Sequence, residues 1–146
     1  MKKFATMSGA ELVALYTQIG VAQAEALDRF ESGRFNRLFD QEMAIVNELR
    51  SRPGDQRTQL FALYEHPNLQ VRLNAAQSTY MLNRARAHAV LEEIAETRWL
   101  PQAATAGFSL EGIAAGDSAL LRDPWIPSSR KERLALHQAE LNASKD

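Results

Sequence analysis

The chain has no cysteine, and that removes much chemistry at once. Disulfides, thiolate metal sites and cysteine nucleophiles are excluded, and a reducing cytoplasm is the expected location. Strand signals are scarce too: β-branched clusters are few and no Asn-Gly hairpin turn occurs. No apolar run approaches the roughly 18 to 20 residues needed to cross a bilayer, so no membrane span is expected. Lys2 and Lys3 give a positive start, but an amphipathic helical pattern follows rather than the apolar core of a signal segment. Charge of one sign is also missing. The net charge is -1 and neither sign dominates any third of the chain, which disfavours a broad basic face for nucleic acid.

What is present suits one folded domain. The 146 residues suffice to bury a core without metals or staples. Hydrophobic residues at 45% and charged residues at 24% argue against intrinsic disorder.

Helical periodicity fills the sequence. Ser8 and Glu11 make a capping-box pattern that starts a helix running to about Phe30, with Leu12, Leu15, Tyr16, Ile19, Ala22, Ala26 and Phe30 on one face. Ser32-Gly33 is expected to end it. A second helix follows from about Arg34 to Arg50, and the short linker predicts an antiparallel hairpin. Pro53-Gly54 marks a stop, and a short helix is predicted over about Gln56 to Glu65. His66-Pro67 breaks that helix, and Asn68 is placed to cap a fourth reaching about Leu82. That helix has apolar residues on two sides, Leu69, Leu73, Ala76 and Tyr80 on one and Val71, Ala75 and Leu82 on the other, which predicts a helix sandwiched between neighbours. A fifth helix spans about Arg84 to Thr97 with Ala87, Val90, Leu91 and Ile94 inward. A sixth opens at Trp99-Leu100-Pro101, with Phe108 and Leu110 as its bulk and Gly112 and Gly116 at its end. Residues 8–116 read as the helical domain. Residues 117–146 read as an extension of loop and short helix.

The segment His66-Pro-Asn-Leu-Gln-Val-Arg-Leu-Asn-Ala-Ala76 resembles the helix-turn-helix core of HEAT-like repeats. Together with Gly33 to Asp40, Ala87 to Ala95 and Leu100 to Ala103, it is similar to an uncharacterised bacterial domain-of-unknown-function family of small HEAT-like helical proteins, over about residues 8 to 116. The resemblance implies an all-α, HEAT-like or ARM-like right-handed stack of about six helices with a C-terminal helical tail. It implies no activity, and so transfers no catalytic residue. About one full repeat unit is evident, so the first helical hairpin is expected to serve as packing partner and cap. In such repeats the position of Arg72 ties adjacent helices through acidic or carbonyl partners, and that is its expected role here.

The odd residue is Glu42. It falls at the centre of the apolar stripe formed by Phe35, Leu38, Phe39, Ile45, Val46 and Leu49, where a carboxylate is costly unless paired. The preferred reading is a structural ion pair with Arg72, Arg34 or Arg84. The competing reading is an acid of raised pKa in a water-accessible cleft.

The three histidines make no metal signature. His88 and Glu92 share a helix face but lack a third ligand, and His66 belongs to its turn; His137 is far from both in sequence. There is no phosphate loop, no Gly-x-Ser-x-Gly and no nucleophile visibly paired with an oriented base, so no enzyme, cofactor or metal is expected. Arg29, Arg34 and Arg37 interleave with Phe30 and Phe35, as a nucleic-acid or small-ligand patch would. Asp28, Glu31 and Asp40 alternate with them, so a solvated, self-neutralising hairpin end is preferred. Leu120, Leu121, Trp125 and Ile126 are the candidate partner-binding residues, because large apolar groups between prolines either fold back or bind something.

The function expected is a non-catalytic protein-interaction module, of which an immunity or antitoxin-type inhibitor of a bacterial toxin is one form. The alternatives are a small-ligand or nucleic-acid binder using the arginine patch, or an enzyme built around Glu42. The partner is expected to be another protein, and a homodimer stays open.

Overall fold

A computed structural model describes residues 2–122 together with Leu134, Gln138, Leu141 and Asn142. The protein is all-α. Helices α1 (Lys2–Ala5), α2 (Gly9–Asp28), α3 (Ser32–Ser51), α4 (Leu69–Ser78), α5 (Arg84–Thr97) and α6 (Gln102–Ala115) alternate with 3-10 stretches at Gln56–Glu65, Tyr80–Leu82 and Ala119–Leu121. No strand occurs among the described residues.

The start of α2 follows its capping box. Ser8 Oγ accepts from the Glu11 amide at 3.1 Å, and Glu11 Oε1 accepts from the Ser8 amide at 2.9 Å. These bonds hold the Glu11 carboxyl below its ordinary range. The end of α2 differs from the expectation at Ser32-Gly33. Phe30 takes the left-handed conformation at φ 57. Its amide donates to the Leu27 carbonyl, and the Glu31 amide reaches back to Ala26 at 2.8 Å. That is a Schellman closure, a place usually held by glycine. It turns the chain early, leaves Phe30 outside the core at 92% exposure, and frees Ser32 to begin α3.

Helices α2 and α3 run antiparallel. Gln23 meets Glu42 near mid-hairpin, while Arg52 just past α3 donates to the Phe4 and Met7 carbonyls at 3.2 and 2.6 Å. The same guanidinium bonds Glu48, so one arginine pins α1 to the end of α3.

Helix α4 lies at the centre, packed on α2, the 3-10 stretch Gln56–Glu65, α5 and α6. Its N-cap is Asn68, whose Oδ1 accepts from the amides of Gln70 and Val71. Burial runs round the helix, taking in Val71, Leu73, Ala75 and Ala76, as the two-sided pattern predicts. Close approach to α2 depends on Gly20, where an added Cβ would sit 2.8 Å from Val71 Cγ2. The helix stops at Ser78, short of Leu82. Thr79 Oγ1 donates back to the Ala75 carbonyl at 2.7 Å and also meets the Tyr64 hydroxyl, drawing the chain into a 3-10 turn.

Helix α5 buries Ala87, Val90, Leu91 and Ile94, and α6 packs beside it. Gly116, at φ 79, closes α6, and its neighbour Asp117 donates to Gly112. The chain then returns to the core. Ser118 caps the turn Ala119–Leu121, which buries Leu120.

Candidate functional site

The site grows from a run of side chains that are polar where the helix faces are apolar. Gln23 on α2, Glu42 on α3, Gln70 and Asn74 on α4, and Gln102 on α6 are all buried. They form one chain of hydrogen bonds. Gln102 Nε2 donates to Gln70 Oε1 at 3.0 Å, Gln70 Nε2 to Asn74 Oδ1 at 2.9 Å, Asn74 Nδ2 to Gln23 Oε1 at 2.6 Å, and Gln23 Nε2 to Glu42 Oε1 at 2.9 Å. The carboxylate sets the direction. In its ionised form the carboxyl only accepts, so Gln23 then turns its nitrogen to Glu42 and its oxygen to Asn74, and each later amide follows. Aligned amides polarise one another, and the chain joins four helices through the core.

Glu42 also lines a cleft of about 280 Å³ between α3, α4 and α6. Leu27, Phe35, Phe39 and Leu73 supply apolar wall; Asn36, Gln77, Ser78 and Thr105 supply polar wall. Glu42 is the one ionisable group among the lining residues. Burial raises its pKa to about 7, against the hydrogen bond from Gln23, which lowers it. Close by, the Tyr16 hydroxyl bonds Ser78 Oγ at 3.0 Å. Burial holds the Tyr16 pKa well above its usual value, the Glu42 charge adds to this, and the Ser78 bond opposes it.

The ion pair expected for Glu42 is not formed; an amide takes the place of the arginine. Arg72 donates instead to the Tyr64 carbonyl at 2.7 Å and to Glu93 at 2.6 Å, tying the 3-10 stretch to α4 and α5. Arg34 pairs with Glu25 and Glu31, and Arg84 lies over the Tyr80 ring. The buried arginine is Arg57, which grips Asp55 through two nitrogens. These bonds hold the Asp55 carboxyl below its ordinary range.

At the hairpin end, Arg29 and Arg34 share Glu25, 3.6 and 3.0 Å away, so Glu25 joins Glu31 in neutralising this patch. Arg37 is exposed beside them. His66 Nδ1 accepts from the Asn68 amide within its turn. His88 Nδ1 meets the Tyr80 hydroxyl at 2.8 Å rather than Glu92. His137 lies outside the described residues. Of the expected partner contact, Leu120 is buried and Leu121 is half-buried against the core, which makes this half of it an internal contact; Trp125 and Ile126 lie outside the described residues. Besides Phe30, the most exposed large apolar groups among the described residues are Trp99 (69%), Leu100 (69%) and Phe108 (71%), the last expected to supply the bulk of its helix. No helix among the described residues is long and apolar enough to cross a membrane.

The fold and this core place the chain in a class of small all-helical domains, and it belongs to the family described as a domain of unknown function, DUF2019, whose model matches residues 10–114. Among solved structures it is similar to the protein RPA1889 from Rhodopseudomonas palustris CGA009. The two are 42% identical, with a TM-score of 0.76 over 78% of this chain and 94% of that one. No curated protein matches the chain.

Proposed function

We propose that the protein is a non-catalytic binding module whose partner is another protein. The observation that carries this reading is the exposure of large apolar side chains from the α5–α6 loop into α6. Trp99 and Leu100 stand out of the loop, Phe108 stands out of α6, and Glu111 is the one charge on an outer helix face otherwise made of Ala104, Thr105, Phe108 and Ala115. Exposed Trp and Phe with little charge between them suit the buried centre of an interface, ringed by polar residues. The partner is therefore a protein with an apolar patch of its own. Arg29 and Arg34 are already neutralised by Glu25 and Glu31, which argues against the nucleic-acid alternative.

The narrower reading, an immunity or antitoxin-type inhibitor, requires a toxin without a strongly basic face, because the net charge is -1. We read α4 to α6 as a HEAT-like unit, supported by the way Arg72 ties neighbouring elements. The absence of cysteine supports the cytoplasm as the compartment.

The test compares tagged wild-type protein with a Trp99→Ser, Phe108→Ser double variant, both expressed in the native host, with sedimentation of each purified protein to register self-association. Both positions are exposed, so the variant should fold as the wild type does. A stoichiometric partner retained by the wild type and lost by the variant supports the reading. Equal recovery by both, or recovery by neither, overturns it. Ending the chain at Gly116 would be a poorer test, because it removes the buried Leu120.

A further inference from the structure

The Glu42 cleft borders that apolar surface at Thr105, but its wall is different and its chemistry points to a different kind of ligand. We propose that the cleft binds a small organic cation, a protonated amine carrying an apolar group, with Glu42 as its counter-charge.

Size comes first. Ligand pockets commonly enclose roughly 300–1,000 Å³. At about 280 Å³ this cleft falls just under that range and suits one small molecule.

The charged group of the wall then fixes the sign of the ligand's charge, and its free acceptor says where the ligand sits. Several donors around the cleft already bond protein acceptors, although the Asn36 amide bonds none of the described residues. The amide nitrogens of Gln70 and Asn74 are used within the buried chain. Gln77 Nε2 donates to Ser109 Oγ at 3.2 Å, and the Thr105 hydroxyl donates to the Pro101 carbonyl at 3.3 Å. Acceptors remain. Glu42 Oε1 receives Gln23, while Oε2 receives no protein donor among the described residues. No enclosed side-chain oxygen or nitrogen there lacks a partner, so Oε2 is the atom that reaches the cleft. Gln77 Oε1 offers a second acceptor. A wall that carries one carboxylate and no lysine, arginine or histidine repels anions and calls for a ligand that brings positive charge to Glu42. An ammonium group does so.

A divalent metal fits less well. The described residues contain no group of three histidine, cysteine or carboxylate side chains that could hold one. The apolar wall completes the match. Phe35 and Phe39 present rings that favour a cation as well as the hydrocarbon attached to it. A carboxyl that is costly to ionise when empty is relieved by such a ligand, which links binding to proton release.

The experiment titrates the isotope-labelled full chain with phenethylammonium and, separately, with phenethyl alcohol, its neutral counterpart, following backbone amide shifts by NMR at about pH 8. Saturable shifts should gather on α3, α4 and α6. Glu42→Gln, which keeps an oxygen for Gln23, should weaken the amine about tenfold or more and change the alcohol less than about twofold, as expected for loss of a charged hydrogen bond. Thr105→Trp, at the exposed rim, should block both probes. If Glu42→Gln fails to fold, the wild type at about pH 5 serves the same purpose. There Glu42 is protonated, Tyr16 is uncharged at either pH, and the amine alone should weaken. The proposal is overturned if the amine gives no saturable shifts, binds no better than the alcohol, or binds the Gln variant as it binds the wild type.

Discussion

Gln23 and Glu42 face each other across the α2–α3 hairpin at 2.9 Å, and this amide–carboxylate bond stands where an arginine–carboxylate pair would be expected. The difference has consequences. An arginine would hold Glu42 ionised and mute. An amide supplies one donor but no charge, so burial dominates and the carboxyl takes up a proton near neutral pH.

The first prediction concerns stability against pH. The Glu42 pKa rises from 4.5 to about 7 on folding, so between those values the native state holds more protons than the unfolded chain. Stability therefore falls as pH rises through that window and levels off above it. The difference corresponds to roughly 3 kcal/mol of lost stability above neutral pH. Glu42→Gln should match the wild type near the bottom of the window and exceed it by roughly that amount at the top. Urea unfolding of both proteins at several pH values checks this, and parallel curves would refute it.

Asn74 tests the buried chain as a unit. Asn74→Leu removes the donor to Gln23 and the acceptor for Gln70 at once, orphaning a buried group on either side. At about 1–3 kcal/mol for each group, less the gain from the added apolar contact, the loss should be about 2–4 kcal/mol. Chemical denaturation with an unchanged slope should show it.

Gly20 tests the α2–α4 contact. A methyl there would lie 2.8 Å from Val71 Cγ2 and 3.2 Å from Val71 Cα. Overpacking costs about 1–3 kcal/mol and the helix-propensity gain returns about 1, so Gly20→Ala should destabilise by up to about 2 kcal/mol. Adding Val71→Ala should cost less in the Gly20→Ala background than in the wild type, and a double-mutant cycle measures that coupling.

Phe30 should be improvable. It holds a left-handed backbone at φ 57 and is 92% exposed, so its ring adds little packing. Phe30→Gly should stabilise by about 0.5–1 kcal/mol, the relief of strain exceeding the added freedom of the unfolded chain. Thermal unfolding checks it, and a lower midpoint would show that the ring has a role in the fold.

Much of this was legible in the sequence. The capping box, the Asn68 cap and the α5 face are local signals, written in neighbouring residues and obeyed by them. Glu42 was legible as an anomaly because it is charged in an apolar stripe. Its partner was not, because partner choice depends on which helix packs opposite. Gln23 carried the same signal as Glu42. It lies four residues after Ile19 and three before Ala26, in the middle of the buried face, but a neutral amide draws less notice than a charge. Asn74 and Gln70 hid for a related reason: on a helix buried on several sides, a polar residue always has some face to be assigned to. The end of α2 was misread because glycine normally marks a left-handed closure. Here the phenylalanine three residues earlier takes it.

The most direct measurement is a carboxyl-carbon NMR titration of Glu42, with and without saturating phenethylammonium. A buried carboxylate held by an amide and open to a cationic ligand should titrate near 7 in the free protein and at lower pH when the amine is bound. A midpoint in the ordinary carboxylate range, or one that the amine leaves in place, would contradict the account of this core.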